Sequence, residues 1–190
     1  MIQSTRRDLL RNCARALVDG VSTAAGRSAA GAPEAPFLRP PGAGAESDFL
    51  AACTRCTDCL DACPHDAIRR LGPEFGDRAG SPAIIPDESP CMLCTDLPCI
   101  RACETGALNP VARDAVRMGT AEIDLAHCFQ AMGQPCGYCV ERCPLRHTAI
   151  GWDARGLPKV NPEACVGCGV CRHLCPSLDR PITIRSQTVS

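Results

Sequence analysis

The sequence predicts an α+β fold of short strands and short helices wrapped around inorganic centres rather than an ordinary hydrophobic core. Three observations carry this. Cysteine accounts for 17 of 190 residues, near the level at which composition signals a crosslinked or metal-bound scaffold. Sixteen of these fall into four groups of four that recur along the chain. Aromatic residues make up only 3%, so the rings that normally fill much of a core are scarce.

The elements follow in order. Residues 1–45 read as a flexible tail. Arg6 and Arg7 open a helical-looking stretch at 7–18, followed by a segment rich in Ala, Gly and Pro with linker composition. Residues 46–186 read as one cysteine-bearing domain of two pseudo-symmetric halves. The leading cysteines Cys53, Cys91, Cys128 and Cys165 are spaced by 38, 37 and 37 residues, the signature of an internal repeat. Short apolar runs follow the four groups at 66–68, 106–108, 148–150 and 181–184. Others precede three of them at 83–85, 121–123 and 157–160. Each unit is expected to run strand, cysteine loop, one or two helical turns, strand. Gly and Pro punctuate every unit and exclude long regular elements.

Spacing within the groups points to the chemistry. Group one is Cys53-x2-Cys56-x2-Cys59-x3-Cys63-Pro64, and group four is Cys165-x2-Cys168-x2-Cys171-x3-Cys175-Pro176. Both are the bacterial ferredoxin run. Three thiolates two residues apart can curl around one [4Fe–4S] cubane. The fourth, ahead of Pro, is expected at the start of a helix that points away, where it ligates the other cluster of a pair. Group two, Cys91-x2-Cys94-x4-Cys99-x3-Cys103, and group three, Cys128-x7-Cys136-x2-Cys139-x3-Cys143-Pro144, are stretched variants. The group-three insert at 129–135 is expected to bulge outward. Glu104 stands where the other groups have Pro.

Four cubanes need sixteen thiolates, and the four groups supply them, leaving Cys13 over in the tail. The expected cofactors are therefore four [4Fe–4S] clusters. Disulfides fit the cysteine density but not the spacing, because cysteines this close rarely bridge one another without strain. Zinc takes its ligands in two separated pairs, which gives the third cysteine of each run no role.

Other residues have plainer readings. His127 and His173 neighbour ligand cysteines, but with sixteen thiolates neither is needed on iron. Trp152 and Tyr138 are expected to shield a cluster from water. Gly167 and Gly169 are expected at positive φ, bringing main-chain N–H groups close to sulfur. Groups one and two lack such glycines and must use other residue types. The net charge of −1 gives no footprint for nucleic acid. No run approaches the length of a transmembrane segment. No nucleophile-and-base or nucleotide-binding signature appears, so the chain reads as an electron carrier or accessory subunit, not an enzyme.

The chain resembles the ferredoxin-type proteins NapF and NapG/MauM. The resemblance rests on residues 38–42 and 49–56, on 90–99 and 105–108, on 117–119, and on 164–169. The motif details favour the NapG/MauM pattern, and the length is closer to NapF. The fold so implied is a set of tandem or nested bacterial 2[4Fe–4S] ferredoxin-like units. The implied function is relay of electrons between the quinol pool and a partner redox enzyme, such as a nitrate reductase system. The partner would be a reductase catalytic subunit or a quinol-oxidising membrane subunit. The NapF likeness implies an alternative: a cytoplasmic helper binding the catalytic subunit during maturation. Related four-cluster subunits imply nested pairing of group one with four and of two with three. Cys53, Cys56, Cys59 and Cys175 would then share a cubane, as would Cys63, Cys165, Cys168 and Cys171. Cys91, Cys94, Cys99 and Cys143 would share the third, and Cys103, Cys128, Cys136 and Cys139 the fourth. The residues themselves leave sequential pairing, one with two and three with four, open.

Residues 5–11 resemble a twin-arginine export signal. Arg11, Arg15, Asp19 and Arg27 interrupt the apolar run such a signal needs, so cytoplasmic retention is expected, with periplasmic export as the alternative.

Overall fold

The computed structural model describes residues 37–187. The paired arginines, the stretch at 7–18 and Cys13 lie outside the described residues. Among those described, no helix is long and apolar enough to cross a membrane.

The expected tail ends earlier than 45. Residues 37–41 are buried, and Leu38 exchanges both main-chain hydrogen bonds with Ile84 at 2.8 Å. Arg39 is fully buried. It donates to Glu46, to Ser81 Oγ at 2.9 Å and to the Pro82 carbonyl at 2.8 Å. Its guanidinium lies 4.7 Å from the Phe49 ring centroid and 4.9 Å from that of Phe37. Pro-rich composition excluded helix here but not packing. A proline has no N–H to satisfy, so such a segment can be buried with few partners.

Helix α1 (Glu46–Ala52) carries acids in its first turn, which suits the helix dipole. It buries Phe49, and its C-terminal end delivers Cys53. Four single-turn helices follow: α2 (Asp58–Asp61), α3 (Pro98–Arg101), α4 (Tyr138–Glu141) and α5 (Val170–His173). Each carries the third cysteine of its group, and the fourth cysteine lies just past the helix end. This corrects the expectation that the fourth cysteine begins a helix. A residue before Pro is disfavoured in the α region, so Cys63, Cys143 and Cys175 end the helical turn instead of starting one.

The strands pair locally. β1 (Ile68–Arg70) and β2 (Pro82–Ile84) form an antiparallel pair with Ile68 opposite Ile84. β3 (Gly119–Ile123) pairs with β6 (Ile182–Ser186), Ala121 opposite Ile184. β4 (Ile150–Trp152) pairs with β5 (Pro158–Val160), Ile150 opposite Val160. Groups one and two thus flank one pair, and groups three and four flank another inside an outer pair. In the first half the outer pair shrinks to a single bridge, Ala43 to Leu108. The expected strand at 106–108 is only this bridge, because its partner segment carries Pro40 and Pro41, which donate nothing to a ladder.

Helix α2 packs on α3, and α4 on α5. One buried apolar cluster threads both halves, from Leu38 and Ile84 through Leu93 and Met118 to Val166 and Ile184. Cys59, Cys91, Cys99 and Cys168 are members of that cluster. Sulfur occupies the place that aromatic rings would fill in an ordinary core.

Candidate metal centres

The sixteen motif cysteines are all free thiols, and the fold gathers them in fours. One cavity is walled by Cys63, Cys91, Cys94 and Cys99 with apolar neighbours including Ile68 and Leu97. A second is walled by Cys143, Cys165, Cys168 and Cys171, and a third by Cys128, Cys136, Cys139 and Cys175. In the remaining set, the thiol neighbours acting on Cys59 are led by Cys56, Cys53 and Cys103. We denote the quartets I (Cys53, Cys56, Cys59, Cys103), II (Cys63, Cys91, Cys94, Cys99), III (Cys128, Cys136, Cys139, Cys175) and IV (Cys143, Cys165, Cys168, Cys171).

Each quartet draws three cysteines from one group and the fourth from its sequential neighbour. Nested pairing, which the resemblance implied, is therefore corrected: Cys175 joins group three rather than group one, and Cys103 joins group one rather than group three. The strand pairing is the reason. The β1–β2 pair folds group two back onto group one, and β4–β5 folds group four onto group three, so each fourth cysteine reaches across its own pair.

The loops supply main-chain donors to sulfur. Leu93 N donates to Cys91 Sγ, Ala67 N to Cys63, Leu108 N to Cys103 and Ala121 N to Cys165, each at 3.4 Å. Gly167 and Gly169 do take positive φ, 72° and 85°. The residue just before the second cysteine takes this conformation in three groups. It is Arg55 in group one, Leu93 in group two and Gly167 in group four. Groups one and two therefore pay the steric cost of a left-handed side chain. No residue type betrays that geometry, but aligning the repeats on Gly167 would have found it.

Burial dominates the electrostatics. It pushes the Cys59, Cys91, Cys139 and Cys168 thiols up to about 12, with neighbouring thiols adding to the effect at each. Cys99 rises to about 11 for the same first reason. Cys103 goes the other way. Its partial burial acts upward, but hydrogen bonds from the Leu108 amide and Thr105 hydroxyl outweigh it. Four thiols packed round one apolar cavity cannot all ionise without a compensating positive charge. The donor set fits iron, which supplies that charge.

The residues also fit clusters better than single ions. Among the described residues, no three His, Cys, Asp or Glu side chains form a group suited to one metal ion. The quartets surround cavities instead. His127 and His173 are engaged elsewhere: His127 Nδ1 meets Asp124 at 2.7 Å, and His173 Nδ1 meets the Pro86 carbonyl at 3.1 Å. The expected insert bulges as an exposed turn. Gln130 pins it by accepting from Cys136 N at 2.9 Å and donating to the Gly156 carbonyl at 3.2 Å. Tyr138 lines the quartet III cavity but remains half exposed.

Residues 52–107, which hold all of groups one and two, match the 4Fe-4S dicluster domain family. The methylamine utilization ferredoxin-type protein MauM of Methylorubrum extorquens is 38% identical over 190 aligned residues, covering 90% of this chain and 84% of that protein. The chain belongs to the MauM/NapG family of ferredoxin-type proteins. MauM of Paracoccus denitrificans is 40% identical, covering 90% of this chain and 83% of that protein. Ferredoxin-type protein NapG of Escherichia coli is 38% identical over 73% of this chain and 65% of its own length. As a member of this family the chain is a ferredoxin-type iron–sulfur protein, and the dicluster match spans the segment that brings quartets I and II together.

Proposed function

We propose that the chain holds four [4Fe–4S] clusters in two tandem ferredoxin-like units and relays single electrons to a partner redox enzyme. The observation that carries this reading is the gathering of sixteen thiols into four separate quartets, with none left over among the described residues. When bound, each cluster would supply reversible one-electron storage. The chain's own residues hold the sulfurs, exclude water from them and aim N–H dipoles at them, which are the main protein levers on cluster potential.

The quartets run in the order I, II, IV, III. Quartets I and II share the α2–α3 contact, and III and IV share α4–α5. Between the halves, the Cys91 amide of quartet II donates to the Cys168 carbonyl of quartet IV at 3.0 Å. Such an order supports a relay with quartets I and III at its two ends. The relatives' names associate MauM with methylamine utilization, and a redox enzyme or its electron donor is the class of partner we assign here. The residues that line the quartets include no acid–base pair poised on a substrate, and we read the chain as a carrier without a reaction of its own.

Anaerobic iron and sulfide analysis with EPR of the reduced protein tests the reading. About sixteen iron and sixteen acid-labile sulfide per chain are expected. Tightly held zinc without sulfide would end it.

A further inference from the structure

Quartet III stands last in the order of the quartets. An open groove of about 720 Å³ lies against it, lined by Gln130, Pro135, Cys136, Tyr138, Glu141 and Trp152 among others. Cys136 and Tyr138 also line the quartet III cavity, so one wall separates groove from centre. The group-three insert builds the groove, and Gln130 fixes the insert to the β4–β5 turn through Gly156.

Glu141 is the one charged residue lining the groove. Among the described residues it has no ion-pair partner. Gly137 forms the floor. The position its Cβ would occupy is 3.0 Å from Glu141 Oε1 and 3.4 Å from Trp152 Cζ2, so carboxylate and indole converge on one point. A carboxylate beside an aromatic ring attracts a cation by charge and by the ring quadrupole. Tyr138 and Trp152 on the groove's lining are 52% and 47% exposed, and half-exposed rings of this kind are enriched at protein interfaces.

We propose that this groove is the electron port of the protein, where a basic side chain of a redox partner seats between Trp152 and Glu141 against the wall of quartet III. The port rests on the relay reading above. One electron leaves the reduced cluster of quartet III and enters the partner's oxidised centre, with no bond made or broken.

The holoprotein, reduced anaerobically with dithionite, is tested against a lysine-rimmed c-type cytochrome and an acidic flavodoxin. Calorimetric Kd values are measured with the oxidised proteins, and stopped-flow rates with the reduced one. At low salt, Glu141→Gln and Trp152→Ala each weaken cytochrome binding at least fivefold and slow transfer to its ferric haem in proportion. Glu141→Asp retains most of both. The flavodoxin binds the wild type and the variants equally weakly. Unchanged cytochrome affinity in both variants overturns the port, as does an equal loss in Asp58→Asn, beside Cys59 at the far end. Failure of the relay reading is separable, because wild-type protein would then lack iron and sulfide before any partner is added.

Discussion

The Cys91 amide donates to the Cys168 carbonyl across 3.0 Å, tying the second cysteine loop to the fourth. The contact is main chain to main chain, so it does not depend on which side chains the loops carry. It fixes how close the two innermost quartets stand. Asp87 and Arg172 reinforce it with a two-pronged ion pair at 2.7 and 2.8 Å, and Gly169 seats against Pro86.

Ligand sharing can be read by counting lost iron in pairs. Cys56→Ser with Cys103→Ser strikes quartet I twice, so the double variant should lose about one cluster's iron. Cys56→Ser with Cys175→Ser strikes quartets I and III and should lose about two clusters' iron. Anaerobic iron analysis of the two double variants decides. Nested pairing would give the reverse result.

The clamp between the halves has a defined pH response. Hydrogen bonds from Arg172 lead the effects that hold the Asp87 carboxyl below its usual range. A depressed carboxylate contributes stability above its unfolded value near 4, and that contribution is lost as pH falls through the lower folded value. Asp87→Asn should cost about 1–2 kcal/mol near neutrality, allowing for its partly exposed edge. In denaturant titrations followed by loss of visible colour, the gap between wild type and variant should be constant from pH 8 to about pH 5 and close below pH 4. A gap that widens in acid would refute this assignment.

Two glycines at positive φ should respond differently to alanine. At Gly167 (φ 72°) a Cβ would stand 2.4 Å from Gly119 N, against β3 backbone that has no room to yield. Gly167→Ala should therefore prevent filling of quartet IV, seen as iron loss. At Gly133 (φ 82°) the same atom would meet open space. Gly133→Ala should cost only about 1 kcal/mol and keep full iron.

Arg39 has three hydrogen-bond partners, the Glu46 carboxylate, the Ser81 hydroxyl and the Pro82 carbonyl, and no exposure. Arg39→Met strands the largely buried Glu46, with Arg78 at 3.3 Å as the remaining cation beside it among the described residues. The expected loss is about 3 kcal/mol, measured as an earlier bleaching midpoint in urea. Adding Glu46→Gln should recover part of that loss, because the stranded charge is then removed.

The number of ligands, their grouping and the length of each unit are legible in the sequence, because three sulfurs on one cubane need only a local loop. Strands β2, β3, β5 and β6 are legible for the same reason, as short apolar runs beside each loop, whereas β1 and β4 begin at the last residue of the runs expected at 66–68 and 148–150. The partner of each fourth cysteine was not legible. Cys103 and Cys175 carry the same spacing to their groups, and the choice between them as the partner of group one is made by strand pairing far along the chain. Nor did composition show that residues 37–41 are core, since Arg39 reads as solvated until Glu46, Phe37 and Phe49 are seen around it. Local geometry is written residue by residue, whereas the meeting of distant loops depends on a free-energy balance that only the folded chain strikes.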